Sequence, residues 1–215
     1  MTRTRAVVVA FAVIAAGNLI AVVTGDKILE WLTKPLVTLL LIAHLAATGA
    51  LRRPTGRLVT VALAAACVAD VALLIPGDLA FLVGMAFFLI MQLLYLRTFW
   101  YWDAARSTSR VTTAALLAVV IGYVVVMWPK LGDLAAPMLV YGLALTAMAA
   151  LGTGLGLRVG VGGVLFFVSD LTIGLGVGGY DYPLRNVVVM GTYILAQFLI
   201  VTGWNTVTAR RLSAG

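Results

Sequence analysis

A polytopic bundle of membrane-spanning helices is the all-α fold class this sequence predicts. Three observations carry it: the composition, the length of the apolar runs and the placement of the basic residues. Of 215 residues, 63% are hydrophobic and only 11% charged, and the mean hydropathy is +1.10. That leaves too little polar surface to coat a water-soluble globule. A bilayer core about 30 Å thick asks for about 20 apolar residues per helix. On that ruler the chain divides into about eight spans, roughly 6–24, 33–50, 57–75, 79–99, 111–128, 134–151, 158–176 and 187–207. Arg3, Arg5, Arg52, Arg53, Arg57, Arg97, Arg106, Arg110, Arg158, Arg210 and Arg211 fall on one side; only Lys27, Lys34, Lys130 and Arg185 fall on the other. The positive-inside rule makes the first side cytoplasmic and both termini with it, which an even number of spans requires. The expected location is a bacterial inner (plasma) membrane.

Each element follows from the same ruler. The first run has a basic start like a signal peptide, but it stays apolar to about Val23, roughly long enough to span, and it reads as the first helix. The connections "TGDKILEW", "RRPTGR", "PGD", "WYWDAARSTSR", "PKLGD" and "GGYDYPLRN" hold the turn-forming residues and leave no room for a soluble domain. Residues 1–215 are therefore expected to form a single integral membrane domain. Trp31, Trp128, Tyr180 and Tyr182 mark an outer aromatic belt, and "FWYW" at 99–102 an inner one. The formal charge of +7 is accounted for by these short interhelical clusters, with no nucleic-acid partner needed. The single cysteine, Cys67, lies mid-span and reads as packing.

Against this background two carboxylates stand out: Asp70 in "LAAACVADVALLIP" and Asp170 in "GGVLFFVSDLTIGLG". Asp70 lies 13 residues beyond Arg57 and Asp170 lies 12 beyond Arg158, both on helices running outward. At the helical rise each stands about 18 to 20 Å above its inner anchor, so the two occupy matching heights in the outer half. An ionisable residue at such depth faces the bundle interior and marks a functional site by default. The plainer reading is a neutral acid serving as interhelical glue. "CVADVALL" and "FVSDLTIG" are also alike, and each precedes a helix with Gln and Tyr (Gln92 and Tyr95; Gln197 and Tyr193), which hints at a four-plus-four parallel repeat. Asp26, Glu30, Asp78, Asp133 and Asp181 read as solvated loop charge. His44 has no second His or Cys for a metal site, and it reads, like Asn18, as a packing or hydrogen-bonding residue.

The segments "TKPLVTLLLIA", "FLVGMAFFLIMQLLYLRTF", "MLVYGLALTAMA", "VGGVLFFVSDLTIG" and "TYILAQFLI", with the Asp70 stretch, come in an order and spacing that resemble the YhhN-like lysoplasmalogenase family. The resemblance covers nearly the whole chain. It implies a multi-span membrane enzyme that hydrolyses the vinyl-ether bond of lysoplasmalogens, with Asp70 and Asp170 as the catalytic pair. The chain departs from the family pattern at Ala69, where Gly commonly precedes the first aspartate. It departs again at Gln92, where His is common, and at Leu171-Thr172, where Ser-Leu is expected.

That chemistry suits two carboxyl groups. A vinyl ether is cleaved by protonating its terminal alkene carbon; water captures the resulting oxocarbenium ion, and the hemiacetal collapses to an aldehyde and an alcohol. In a low-dielectric pair one carboxyl can stay neutral as general acid while the other stays anionic to stabilise the cation and activate water. Glycosidases divide the labour similarly. No metal or cofactor is required, and the partners implied are a lysophospholipid substrate and membrane lipid. Lys34, at the outer start of the second span, is a candidate for the phosphate, and reads equally as an interfacial lysine snorkelling to the headgroups. Gln92, Tyr95, Tyr141, Tyr193 and Gln197 are candidate substrate-binding donors. On this reading the two carboxylates lie within about 8 Å of each other, and the cavity opens to the outer leaflet near Lys34. The alternative is a secondary transporter or proton-coupled carrier using the aspartate pair; no Gly or Pro interruption pairs spans three and seven near the midplane. An intramembrane aspartyl protease would call for Gly-x-Gly-Asp and Pro-Ala-Leu signatures, which are absent.

Overall fold

The computed structural model describes residues 3–213; the first and last two residues of the expected 1–215 domain lie outside the described residues. The described residues form eight α-helices: α1 (Arg3–Thr24), α2 (Lys27–Ala47), α3 (Pro54–Ala72), α4 (Asp78–Tyr101), α5 (Arg110–Leu131), α6 (Ala135–Thr153), α7 (Leu157–Val177) and α8 (Arg185–Ser213). Short 3₁₀ turns at Ala50–Arg52, Ala104–Ser107 and Gly132–Leu134 complete the secondary structure, with no strand among the described residues. Seven helical stretches are long and apolar enough to cross a membrane, the longest being Arg110–Thr153. That stretch is α5, the Gly132–Leu134 turn and α6, and the two helices pack side by side. The chain therefore reverses at Gly132, whose φ of 51° suits the one residue type that adopts it without strain. The fold class is the expected all-α polytopic membrane protein.

Helix ends depart from the apolar ruler for local reasons. The Asp26 carboxylate accepts from the Leu29 N–H at 3.0 Å, an N-cap that starts α2 at Lys27. Most of "TGDKILEW" is thus helix, not connection. Pro54 occupies the first turn of α3, where its missing N–H costs no hydrogen bond, so most of "RRPTGR" is helical as well. At the other end of the chain α8 runs on to Ser213, six residues past the apolar stretch, because a helix can continue into water on polar residues.

Backbone contacts divide the chain into two compact units, Met1–Thr98 and Phe99–Gly215. In the first, α1 packs on α2 and α2 on α3. Asn18 Nδ2 donates to Thr33 Oγ1 at 3.0 Å across α1 and α2, and the Cys67 thiol lies 3.9 Å from the Pro35 carbonyl across α2 and α3. In the second, α5 packs on α6, α6 on α7 and α7 on α8. Close approach in α7 comes from missing side chains: a Cβ on Gly163 would lie 2.8 Å from Ala149 Cα on α6, and one on Gly162 would lie 2.9 Å from the Ala196 carbonyl on α8. Small residues let helices in lipid gain packing contacts where no hydrophobic force drives them together.

The tightest approach to backbone is at Gly154, the residue that caps α6. A Cβ there would lie 1.9 Å from the Ala104 carbonyl oxygen, and backbone on both sides leaves little to yield. Gly154→Ala is expected to destabilise the protein by about 3 kcal/mol, read as a lowered unfolding midpoint in detergent; an unchanged midpoint would refute this packing.

Candidate active site

The first unit buries polar residues along one face of α2: Thr33, Lys34, Thr38 and His44 share it with Val37, Leu41 and Leu45. This inverts the soluble pattern, because the outer face meets hydrocarbon and polar groups must turn inward. Lys34 is only 8% exposed, and its side chain makes no ion pair or hydrogen bond among the described residues. It is not at the outer start of its helix, as the apolar ruler had it. With α2 starting at Lys27, Lys34 sits two turns in, about 10 Å along the axis. An interfacial lysine reaching for headgroups would be exposed; this one is enclosed. Asp70, near the end of the neighbouring α3, is 1% exposed. Gln92 and Tyr95, on α4, are fully buried, and neither polar atom of the Gln92 amide has a hydrogen-bond partner. His44 is buried too, with its Nδ1 unbonded.

The second unit holds Asp170 on α7. Tyr141, on α6, donates its hydroxyl proton to Asp170 Oδ2, so two residues singled out separately from sequence meet here. One turn further along α7, Tyr123 of α5 donates to the Gly174 carbonyl at 2.7 Å. A Cβ on Gly174 would lie 2.9 Å from that hydroxyl, so the glycine makes room for it. Tyr123 was missed in the sequence; the only signal was a lone hydroxyl in the apolar run "VVIGYVVVMW". The two tyrosines, Asp170, Val120, Val124, Met138, Gly142, Leu145 and Phe167 line a narrow cleft of about 40 Å³ between α5, α6 and α7. Beside Asp170 on α7, Ser169 donates to the Val189 carbonyl of α8 at 3.0 Å and fixes the register of α7 against α8. Tyr193 is buried edge-on to Phe166, with ring centroids 5.6 Å apart. Gln197 lies one turn deeper and is fully buried.

The cations near the α5–α6 and α7–α8 connections of this unit are tied up. Arg185 pairs with Asp181 at 3.0 Å, and the Lys130 ammonium stands 4.1 Å from the centroid of the Tyr180 ring. Neither is left for a ligand in the way Lys34 is.

Apolar helices long enough to cross a membrane, with a buried aspartate in the first unit and a half-buried one in the second, define a polytopic helical membrane protein. The model of the YhhN family matches residues 29–204, and the chain belongs to that family. It is 34% identical over 139 residues to lysoplasmalogenase TMEM86B of Sus scrofa, a match covering 65% of this chain and 59% of that protein. Against the Rattus norvegicus protein of the same name it is 32% identical over 139 residues, covering 65% of this chain and 58% of the relative. For the Homo sapiens protein the figures are 32% over 143 residues, 65% and 59%. The chain thus matches less than two thirds of each relative's length. No solved structure matches the chain.

Proposed function

We propose that this protein is a membrane-embedded hydrolase that cleaves the vinyl-ether bond of a lysoplasmalogen, releasing a fatty aldehyde and a glycerophospho-headgroup. The observation that carries the reading is family membership together with three relatives all named lysoplasmalogenase. Asp70 and Asp170 supply the acid and base, since both are carboxyl groups within apolar helices, Asp70 buried and Asp170 half-buried. Lys34 receives the phosphate: it is a buried cation with no protein partner among the described residues. Gln92, Tyr95, Tyr193 and Gln197 are the buried polar residues that orient the glycerol and headgroup. Tyr141 supports Asp170. In this reading the Arg-rich ends of the helices lie on the cytoplasmic side of a bacterial inner membrane, with both termini there. No metal or cofactor enters the reaction, because protonation of the alkene carbon and capture by water need only acid, base and water.

The test is direct. Purified protein incubated with lysoplasmalogen should release free aldehyde at a rate proportional to enzyme, and the saturated-ether analogue, which has no alkene to protonate, should be inert. Absence of aldehyde, or equal cleavage of the saturated ether, would overturn the reading.

A further inference from the structure

We infer that the groove beside the first turns of α5 and α7 is a binding site for one anionic diacyl phospholipid, taken from the leaflet on the arginine-rich side of the membrane. The site lies within the second unit, is separate from the chemistry of the aspartates and does not depend on the hydrolase reading.

Shape is the first argument. The groove measures about 480 Å³ and runs from Ser109, Thr112 and Thr153 at one end along Leu157, Val161, Val164 and Leu165. That volume falls within the range of small-molecule sites, about 300 to 1,000 Å³, and suffices for a glycerol and the upper part of one acyl chain. Leu165 lies seven residues beyond Arg158 on α7, so the apolar wall descends about 10 Å into hydrocarbon. Leu157 is 84% exposed and Val161 41%, which leaves the wall open on the side where lipid stands.

Hydrogen bonding is the second. Thr153 Oγ1 is satisfied, since it accepts from the Ser109 N–H at 2.9 Å and donates to the Ala150 carbonyl at 2.7 Å. The Ser109 and Thr112 hydroxyls share a single bond at 3.0 Å. Of their two protons one is therefore uncommitted among the described residues, a donor for a phosphate or ester oxygen.

Charge is the third. Arg110 opens α5 and Arg158 is the second residue of α7, each next to a residue that lines the groove. Both are exposed, and neither makes an ion pair or hydrogen bond among the described residues. Asp103, the carboxylate on the adjoining α4–α5 connection, already stands 3.7 Å from Arg106, and residues 154–156 between α6 and α7 include no acid. Two cations, a hydroxyl donor and an apolar wall thus follow one another in the order of a phospholipid's phosphate, glycerol ester and chain. A spanning helix from another protein would bring its own basic residues to this side and set like charges together. A soluble anion would leave the apolar wall bare. The substrate of the proposed hydrolysis belongs elsewhere, because Asp170 lies 12 residues beyond Arg158, about 18 Å along α7.

The test titrates the full chain in detergent with dioleoyl phosphatidylglycerol or dioleoyl phosphatidylcholine, counting bound lipid by native mass spectrometry and following thermal unfolding. Wild type should retain one phosphatidylglycerol at least about tenfold more tightly than phosphatidylcholine, and unfold at a higher temperature with it. Arg110→Gln combined with Arg158→Gln should weaken that binding about thirtyfold, the loss expected of two cations near a headgroup. Val161→Trp, which fills the wall and keeps the charge, should also lose the lipid. Lys130→Gln combined with Arg185→Gln removes the same charge elsewhere; Lys130 lies 20 residues along α5 from Arg110, about 30 Å away and beyond the reach of a screened charge. That control should bind within about threefold of wild type. Equal retention of the two lipids by wild type, or an equal loss in the control, would reduce the groove to unspecific attraction and overturn the inference. Displacement of phosphatidylglycerol by equimolar glycerol 3-phosphate would overturn it in favour of a soluble-anion site. A changed oligomeric mass in Val161→Trp with lipid binding unaltered would overturn it in favour of a protein interface. If Val161→Trp does not fold, the arginine variant decides alone. A chain that binds phosphatidylglycerol in this way and releases no aldehyde would sink the hydrolase reading and leave this inference standing.

Discussion

Asp170→Asn and Asp70→Asn are each expected to lower aldehyde release by at least about 10²-fold while the protein stays folded and membrane-inserted. The amide matches the carboxyl in volume and still accepts hydrogen bonds, so the packing around it survives. At Asp170 this is concrete: the Tyr141 hydroxyl that donates to Oδ2 can donate equally to an asparagine oxygen. What the amide cannot do is give a proton to an alkene carbon or take one from water. If the aspartates served only as glue between helices, Asn would do as well as a neutral acid, and activity would persist. The double variant sharpens the test, because residues acting as one catalytic unit are strongly non-additive. It should be no slower than the slower single variant. Aldehyde release and thermal stability measured on the same three proteins decide the matter: wild-type turnover in either single variant would leave that aspartate without a catalytic role.

The aspartates stood out in the sequence because a carboxylate in an apolar run has no cheap structural reason to be there. The helices were legible for a related reason, since apolar length is a direct physical demand of the bilayer. What could not be read was which face of each helix is buried. In a soluble helix the apolar stripe answers that; here the lipid-facing side is apolar as well, as exposed Val9, Val13 and Ile20 on α1 and Val125 and Val126 on α5 illustrate. The inward face is marked instead by its small and polar members, such as Thr33, Lys34, Thr38 and His44 on α2. The apolar ruler misplaced the beginning of α2 because it measures hydrocarbon, whereas the helix starts at its cap, Asp26. With that shift Lys34 lies two turns inside the helix, and its side chain is buried. Tyr123 was passed over because a single hydroxyl in a long apolar run has no partner in the sequence; its partner is the backbone of Gly174, 51 residues away.

Lys34→Met is expected to weaken substrate binding and strengthen the fold. Lys34, 8% exposed as a residue and making no ion pair or hydrogen bond among the described residues, gives up part of its hydration with little return and so lowers the stability of the ligand-free protein. Methionine fills a similar path with an apolar, adaptable chain, so the variant should unfold at a higher temperature than wild type. Binding should move the other way. A charge-assisted hydrogen bond contributes about 1.5 to 3 kcal/mol, so loss of the phosphate contact should raise KM for lysoplasmalogen by about 10- to 150-fold, with kcat changed far less because the lysine does not touch the reacting carbon. A purely structural lysine would give the opposite pair of results, a lowered Tm and an unchanged KM. A glyceryl vinyl ether without the phosphate separates charge recognition from general damage. Wild type and Lys34→Met should turn it over with the same KM, because the interaction that the substitution removes was never available to that substrate.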